Sequence, residues 1–227
     1  MHRPAFDVLQ VGRERSPLLV IDDFLPGPER LVEFAARAQL KAPAKGFYPG
    51  ARAVAPPQYL HYVVSALAPL IAVAFGFPSA GVRMADSYLS MVTTAPERLN
   101  LDQRLPHVDT VEPGRIAVLH YLCRPEQGGT SLYRHRSTQF ETLDPARLPV
   151  FHRALNHELH ASGGLAPAYM NGSTQLFERT HKIDAAYNRL VAYTCNTLHC
   201  ADIPADFDFD PDPRKGRLTA NTFMAFG

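Results

Sequence analysis

Tryptophan is absent and cysteine is scarce: the 227 residues hold only Cys123, Cys195 and Cys200. An odd number of thiols without close metal-ligand spacing argues against a disulfide framework or a thiolate cluster. It fits a reducing, cytoplasmic setting in which all three are packing residues. Surplus charge is missing as well. Lys and Arg total 23 against 22 for Asp and Glu, a formal net charge of +1. No general field draws nucleic acid or an anionic membrane, so the expected partner is a small molecule or a peptide, with oligomeric state left open. Long apolar runs are also lacking. The most apolar window, Tyr62 to Phe77, spans 16 residues and is interrupted by Pro69 and Gly76. That is too short for a bilayer span and suits a buried helix. No charged-then-apolar leader opens the sequence, and no repeat or low-complexity tract divides it.

What is present is a chain long enough for one substantial core, with 20 prolines marking many loops. The run Leu18-Leu19-Val20-Ile21 followed by Leu31, Phe34, Ala35 and Ala38 at helical spacing reads as strand, turn, helix. A second helix is predicted from Pro57 to Phe75, where Leu60, Val63, Val64, Leu67 and Ile71 recur at helical spacing after two prolines. Residues 1–82 are therefore expected to be mainly helical support. From Arg83 the texture changes to seven strand-like runs: Asp86–Thr93, Arg104–Asp109, Ile116–Cys123, Thr130–Arg134, Thr174–Lys182, Arg189–Cys195 and Arg217–Phe226. Such a series makes a sandwich or barrel. Between them, Asp144-Pro145 resembles a helix start, and Leu148, Phe151, Leu155 and Leu159 share a helical face, which places an inserted helix near 144–162. The expectation is one domain, 1–227, mainly β with supporting helices.

Side chains two apart on a strand point the same way, so His107 and Asp109 in Pro106-His107-Val108-Asp109 would present an imidazole and a carboxylate to one cavity. By itself such a pair reads equally well as a hydrogen-bonded polar pair. Among the other histidines, His199, just after a strand-like run, is best placed as a third ligand. Two histidines and one carboxylate on one face of a metal leave positions open, the arrangement of non-haem Fe(II) oxygenases. Arg217 and Thr219 share a strand face in Gly216-Arg217-Leu218-Thr219, and a buried guanidinium there would pair bidentately with a carboxylate. His135 and His181 are rival third ligands, but each lies among basic residues, where a solvated face or a substrate contact is the simpler reading. The run Arg134-His135-Arg136 would suit an anionic or peptide substrate or a solvated edge. His152, His157 and His160 read as surface residues of the inserted helix. Cys200 should point away from a metal held by its neighbour His199.

The ordered set His107-Val108-Asp109, Gly114 to Leu122, Gly128-Gly129-Thr130-Ser131-Leu132-Tyr133, the His199 segment and Gly216-Arg217-Leu218-Thr219 resembles the prolyl 4-hydroxylase-like branch of the Fe(II)/2-oxoglutarate dioxygenase superfamily. The likeness covers roughly Arg83 to Gly227, and Leu18 to Leu25 followed by a helix resembles how members of that branch open. It implies a double-stranded β-helix, the jelly-roll or cupin-like core, over 83–227. It implies Fe(II) held by His107, Asp109 and His199. It also implies 2-oxoglutarate held by Arg217 with help from Thr219 and Tyr121, and dioxygen as oxidant. Hydroxylation of a small molecule or peptide, with release of succinate and CO2, would follow. Because a carboxylate, Asp109, fills the position that related halogenases leave small, hydroxylation is favoured over halogenation. The sequence departs from the branch in its spacing. Ninety positions separate Asp109 from His199 and 18 separate His199 from Arg217, and both excesses are read as loop or helix insertions, which add little closure entropy. Two other readings stay open: a cupin-type metal-dependent isomerase or hydrolase, and a catalytically silent jelly-roll module that binds a ligand.

Overall fold

The computed structural model describes residues 5–42, 48–77 and 81–227. Their strands are β1 (Phe6–Val11), β2 (Ser16–Ile21), β3 (Gly50–Val54), β4 (Val82–Val92), β5 (Arg115–Tyr121), β6 (Gly129–His135), β7 (Phe177–Ile183), β8 (Leu190–Thr194), β9 (His199–Asp202) and β10 (Leu218–Phe226). Three α-helices accompany them: α1 (Glu29–Arg37), α2 (Pro57–Ala74) and α3 (Arg147–Ala161). The strands form two antiparallel sheets, one ordered β1-β2-β8-β5-β10-β4-β3 and the other β7-β6-β9.

The central strands of the large sheet are buried on both faces, and their alternation shows why. On β5, Ile116 and Val118 join the apolar cluster formed with the helices, whereas Ala117, Leu119 and Tyr121 join the cluster that faces the small sheet. On β8, Leu190 and Ala192 point one way and Val191 and Tyr193 the other. Each fully buried aliphatic side chain of this set contributes roughly 1.5–3 kcal/mol relative to exposure. The helical layer supplies Leu31 and Ala35 from α1 and Tyr59, Val63, Leu67 and Ile71 from α2, the latter one turn apart along a single stripe. The opposite face meets Leu132 of β6 and Ile183 of β7, so the sheets sandwich a second core.

The N-terminal region joins helices α1 and α2 with three strands that belong to the large sheet. β1 and β2 extend one edge of the large sheet, and β3 forms its other edge. Pro69 does not interrupt α2. Its ring and Ser65, whose carbonyl loses its intrahelical donor, both lie on the exposed side, where water can take that carbonyl. The resulting 18-residue helix, of mean hydropathy 1.2, is long and apolar enough to cross a membrane by those measures, yet its buried stripe packs on the sheet. The inserted helix is α3, between β6 and β7. Asp144 Oδ1 accepts the Ala146 and Arg147 N–H groups at 2.8 and 2.7 Å, and Phe151 and Leu155 are buried with Leu143, Met170 and Phe177.

One strand-like run is overturned. Arg104–Asp109 is not a regular strand: a short 3-10 turn, Asp102–Arg104, leads into an extended segment joined to the sheet by one bridge, His107 to His199. Pro106, which has no N–H, sits immediately before that bridge and limits ladder formation. The start of β6 depends on glycine. Gly128 has φ +85°, and a Cβ on Gly129 would strike the Ile183 carbonyl oxygen of β7.

Candidate metal centre

His107 and His199 are brought together by backbone, not by side-chain affinity. Each N–H donates to the other's carbonyl at 2.9 Å. The Asp109 N–H donates to the Cys195 carbonyl at 2.8 Å, which ties the far end of the segment to the end of β8. His107, Asp109 and His199 consequently hold their ligand atoms within 4.8 Å of one another. His199 Nδ1 lies 2.9 Å from the Thr197 carbonyl, which only accepts, so Nδ1 carries the proton and Nε2 presents its lone pair. Nε2 faces Asp109 Oδ2 at 3.7 Å.

Loss of solvent around the two imidazoles sets their charge, while Asp109 keeps a solvent-facing part. Burial pulls His107 down to about 4, assisted by His199 and opposed by Asp109. Burial likewise pulls His199 down to about 4, opposed by the Thr197 carbonyl. Asp109 is raised by burial, with His107 and Arg52 acting against the rise. At neutral pH both imidazoles are therefore neutral and able to donate lone pairs, as metal ligation requires. Nitrogen and oxygen donors without thiolate suit a divalent ion of the Fe(II), Zn(II) or Mn(II) kind.

The trio opens into a cavity of about 280 Å³ whose apolar wall includes Leu105, Ala117, Leu119 and Phe223. Its polar lining includes Tyr48, Arg52, Gln103, Arg217 and Asn221. Arg217, just ahead of β10, is 3% exposed. Its Nη2 donates to the Gly129 carbonyl at 2.7 Å, while its Nε has no partner among the described residues. A buried guanidinium left without a counter-charge is costly, and this one faces a cavity sized for a small anion.

The other expected co-substrate residues sit beside Arg217. The Tyr121 ring centroid is 5.9 Å from its guanidinium carbon, and Tyr121 Oη donates to Thr130 Oγ1 at 2.7 Å. Thr219 Oγ1 donates to Asn221 Oδ1 at 2.7 Å. Neither Tyr121 nor Thr219 is among the residues lining the cavity.

Other candidates are placed elsewhere. His135 is fully buried between Thr138 and Glu158, at 3.0 and 2.8 Å, and far from solvent. Arg134 is buried too, with ion pairs of 2.8 Å to Glu141 and 2.7 Å to Glu178. The Arg134-His135-Arg136 run is thus not a solvated edge at its first two positions, because Glu141, Glu158 and Glu178 enclose the two side chains. His181 is half-buried on β7, and His152, His157 and His160 are exposed. The three cysteines are free and buried; Cys200 packs with Leu105, Tyr133 and Leu198 and, unlike the other two, is among the residues lining the cavity.

Sequence reasoning missed Tyr48, Arg52, Gln103, Tyr193 and Asn221. Tyr193 and Asn221 were legible by parity: Asn221 shares a face with Thr219, and Tyr193 shares a face of its strand with Val191. Arg52 carried one weak signal, a charge centred in the short apolar stretch Gly50–Val54.

An antiparallel two-sheet protein with a two-histidine, one-carboxylate set in its cavity is the class that fold and site define. The chain belongs to DUF6445, described as a family of unknown function, whose family model matches residues 2–224. No curated protein matches the sequence. Among solved structures, it is similar to HygX from Streptomyces hygroscopicus with nickel, 2-oxoglutarate and hygromycin B bound, at 13% identity and TM-score 0.48, covering 92% of this chain and 83% of that one. It is also similar to the non-heme alpha ketoglutarate dependent carbocyclase SnoK from nogalamycin biosynthesis, at 16% identity and TM-score 0.48, covering 92% and 79%. An N-substituted L-amino acid dioxygenase from Burkholderia ambifaria AMMD aligns at 12% identity and TM-score 0.44, covering 99% and 94%. At identities this low, function has to be argued from the site itself.

Proposed function

We propose that this chain is a non-haem Fe(II)- and 2-oxoglutarate-dependent oxygenase that hydroxylates a small molecule or a peptide, releasing succinate and CO2. The observation that carries the reading is the presence in one cavity of His107, Asp109 and His199 together with Arg217, a buried cation that lacks an anion. The order of the sequence motifs supports the prolyl 4-hydroxylase-like branch. The two facing sheets support a double-stranded β-helix, and continuous packing from the helical layer through both sheets supports a single domain.

In this reading Fe(II) is held by His107, Asp109 and His199, and with 2-oxoglutarate and dioxygen it supplies the oxidising chemistry. The chain's own contributions are positional. Thr197 fixes the tautomer of His199 and aims Nε2 inward. Arg217 offers its unpartnered Nε to the far carboxylate of the co-substrate, while the Gly129 carbonyl holds the other side of the fork. Tyr121 flanks that guanidinium, and Thr219 orients Asn221 at the cavity wall. Leu105, Ala117, Leu119 and Phe223 keep the walls dry, which strengthens each of these electrostatic contacts.

The test is anaerobic titration of metal-stripped protein with Fe(II) and then 2-oxoglutarate, following the weak visible metal-to-ligand charge-transfer band. The band is expected in the wild type, absent in His199→Ala, and shifted to much higher 2-oxoglutarate in Arg217→Ala. Fe(II) binding without a band would move the reading to a cupin-type isomerase or hydrolase. No binding at all would leave a ligand-binding module.

A further inference from the structure

We propose that Arg52 is the recognition group for the primary substrate, and that this substrate is a small monocarboxylic acid. The inference deepens the reading above and rests on it for the placing of metal and co-substrate.

Arg52 lies at the centre of β3, and its backbone is held from both sides. It pairs with Ser90 of β4, and on the other edge its N–H and carbonyl exchange hydrogen bonds of 2.8 and 2.9 Å with Lys41. An edge strand held in this way presents its side chain from a rigid platform. The guanidinium reaches the same cavity as the candidate metal ligands. Its carbon stands 4.0 Å from the Tyr48 ring centroid and 5.9 Å from that of Tyr88. Stacking fixes the plane of the fork but satisfies no N–H group.

The fork has no protein anion. Arg52 makes no ion pair among the described residues, and its buried Nε has no hydrogen-bond partner. Residues 1–4, 43–47 and 78–80 contain no Asp or Glu, so they offer no carboxylate side chain either. Asp109 is near enough to favour the charged arginine, but it is a candidate metal ligand and is not paired with it.

Charge accounting separates the two arginines. Arg52, Asp109 and Arg217 are the Arg, Lys, Asp and Glu side chains lining the cavity, and His107 and His199 must be neutral to ligate a metal. A divalent ion adds two positive charges and the 2-oxoglutarate dianion removes two, which leaves one uncompensated positive charge. A monocarboxylate cancels it, whereas a phosphate group, at roughly −1.5 to −2 near neutral pH, would overshoot. A cavity of about 280 Å³, with an apolar wall, favours a small acid with an apolar body over a folded partner.

The experiment compares four acids with their neutral amides: benzoate and benzamide, phenylacetate and phenylacetamide, butyrate and butyramide, hexanoate and hexanamide. Binding is measured by calorimetry to anaerobic protein loaded with Fe(II) and 2-oxoglutarate. At least one acid is expected to bind about tenfold or more tightly than its amide. Arg52→Gln should reduce that preference to within about twofold while leaving 2-oxoglutarate affinity within about threefold of wild type. Arg52→Lys, which keeps the charge and loses the fork, should fall between. Unchanged melting temperatures would show that the variants fold.

The proposal is overturned if no acid is preferred or if the preference survives Arg52→Gln. It is also overturned if Arg52→Gln weakens 2-oxoglutarate by about tenfold or more, which would make Arg52 the co-substrate anchor. If 2-oxoglutarate does not bind even the wild type, the oxygenase reading has failed on its own. The acid and amide pairs are then run on protein without it, where a preference that depends on Arg52 supports the carboxylate site and its absence ends the proposal.

Discussion

His107 and His199 face each other across a single antiparallel bridge, their imidazole centroids 4.6 Å apart and their backbones joined by two hydrogen bonds of 2.9 Å. The bridge makes the spacing of the two imidazoles a property of the backbone. Truncating either side chain should leave the bridge intact and the fold standing.

Metal binding is therefore expected to stabilise the protein. A ligand that binds only the folded state at about 100 times its dissociation constant adds about 2.7 kcal/mol. For a chain of this size that corresponds to a rise of roughly 5–10 °C in melting temperature. Scanning calorimetry with and without Fe(II) under argon should show this rise in the wild type and none in His107→Ala or His199→Ala. An equal rise in all three would place the metal elsewhere.

Arg217→Met should separate stability from function. Removing a buried cation that has no counter-charge is expected to leave urea stability equal to wild type or about 1–2 kcal/mol higher, despite loss of the bond to Gly129. Detectable 2-oxoglutarate binding should disappear. A loss of several kcal/mol would instead make Arg217 a structural arginine.

The pair Arg134 and Glu141 makes the opposite prediction. Glu141 also accepts the Arg13 and Glu14 N–H groups at 3.0 Å each, so one buried carboxylate ties the β1–β2 turn to β6. Glu141→Ala should cost about 2–3 kcal/mol by chemical denaturation, because it strands the Arg13 and Glu14 N–H groups while Arg134 keeps Glu178, with little salt dependence and no change in metal affinity. The exposed pair Arg214 and Glu33, at 2.8 Å, should cost less than about 1 kcal/mol when broken and should weaken further in salt. A Glu141→Ala cost as small and as salt-sensitive as that would show the buried pair to be dispensable.

Acid should destabilise the protein through His120. Asn188 Oδ1 accepts the Leu25 N–H at 2.9 Å, and Asn188 Nδ2 donates to the Leu25 carbonyl, which fixes the amide. His120 Nε2 then donates to Asn188 Oδ1, and Nδ1 accepts from Tyr59 Oη at 3.1 Å. Burial pulls this imidazole down to about 4, against the bond it donates to Asn188. The unfolded chain, with its histidine near 6.5, binds more protons between those values. Stability is thus fully present above about pH 6.5, falls as the pH drops, and has lost roughly 3 kcal/mol below about pH 4. Urea melts at pH 7, 5.5 and 4.5 should show a shallower acid loss in His120→Gln. An identical slope would refute the assignment.

The sequence alone determined the features that depend on neighbouring residues. Alternation along 115–121, 190–194 and 218–226 specifies strands buried on both sides, and the one-turn spacing of Tyr59, Val63, Leu67 and Ile71 specifies a helix stripe. The chemical types were legible in the same way: histidine and aspartate two apart, and an arginine at the head of the last strand. Tertiary structure alone decided what depends on partners distant in the chain. It decided that Arg104–Asp109 joins the sheet by one bridge, that Arg134 and His135 are buried against carboxylates from other segments, and that Arg52 enters the same cavity as Arg217. The reason is physical. Side-chain periodicity is written in contiguous residues, whereas burial of a charge and membership of a cavity depend on which strands pair and in which register.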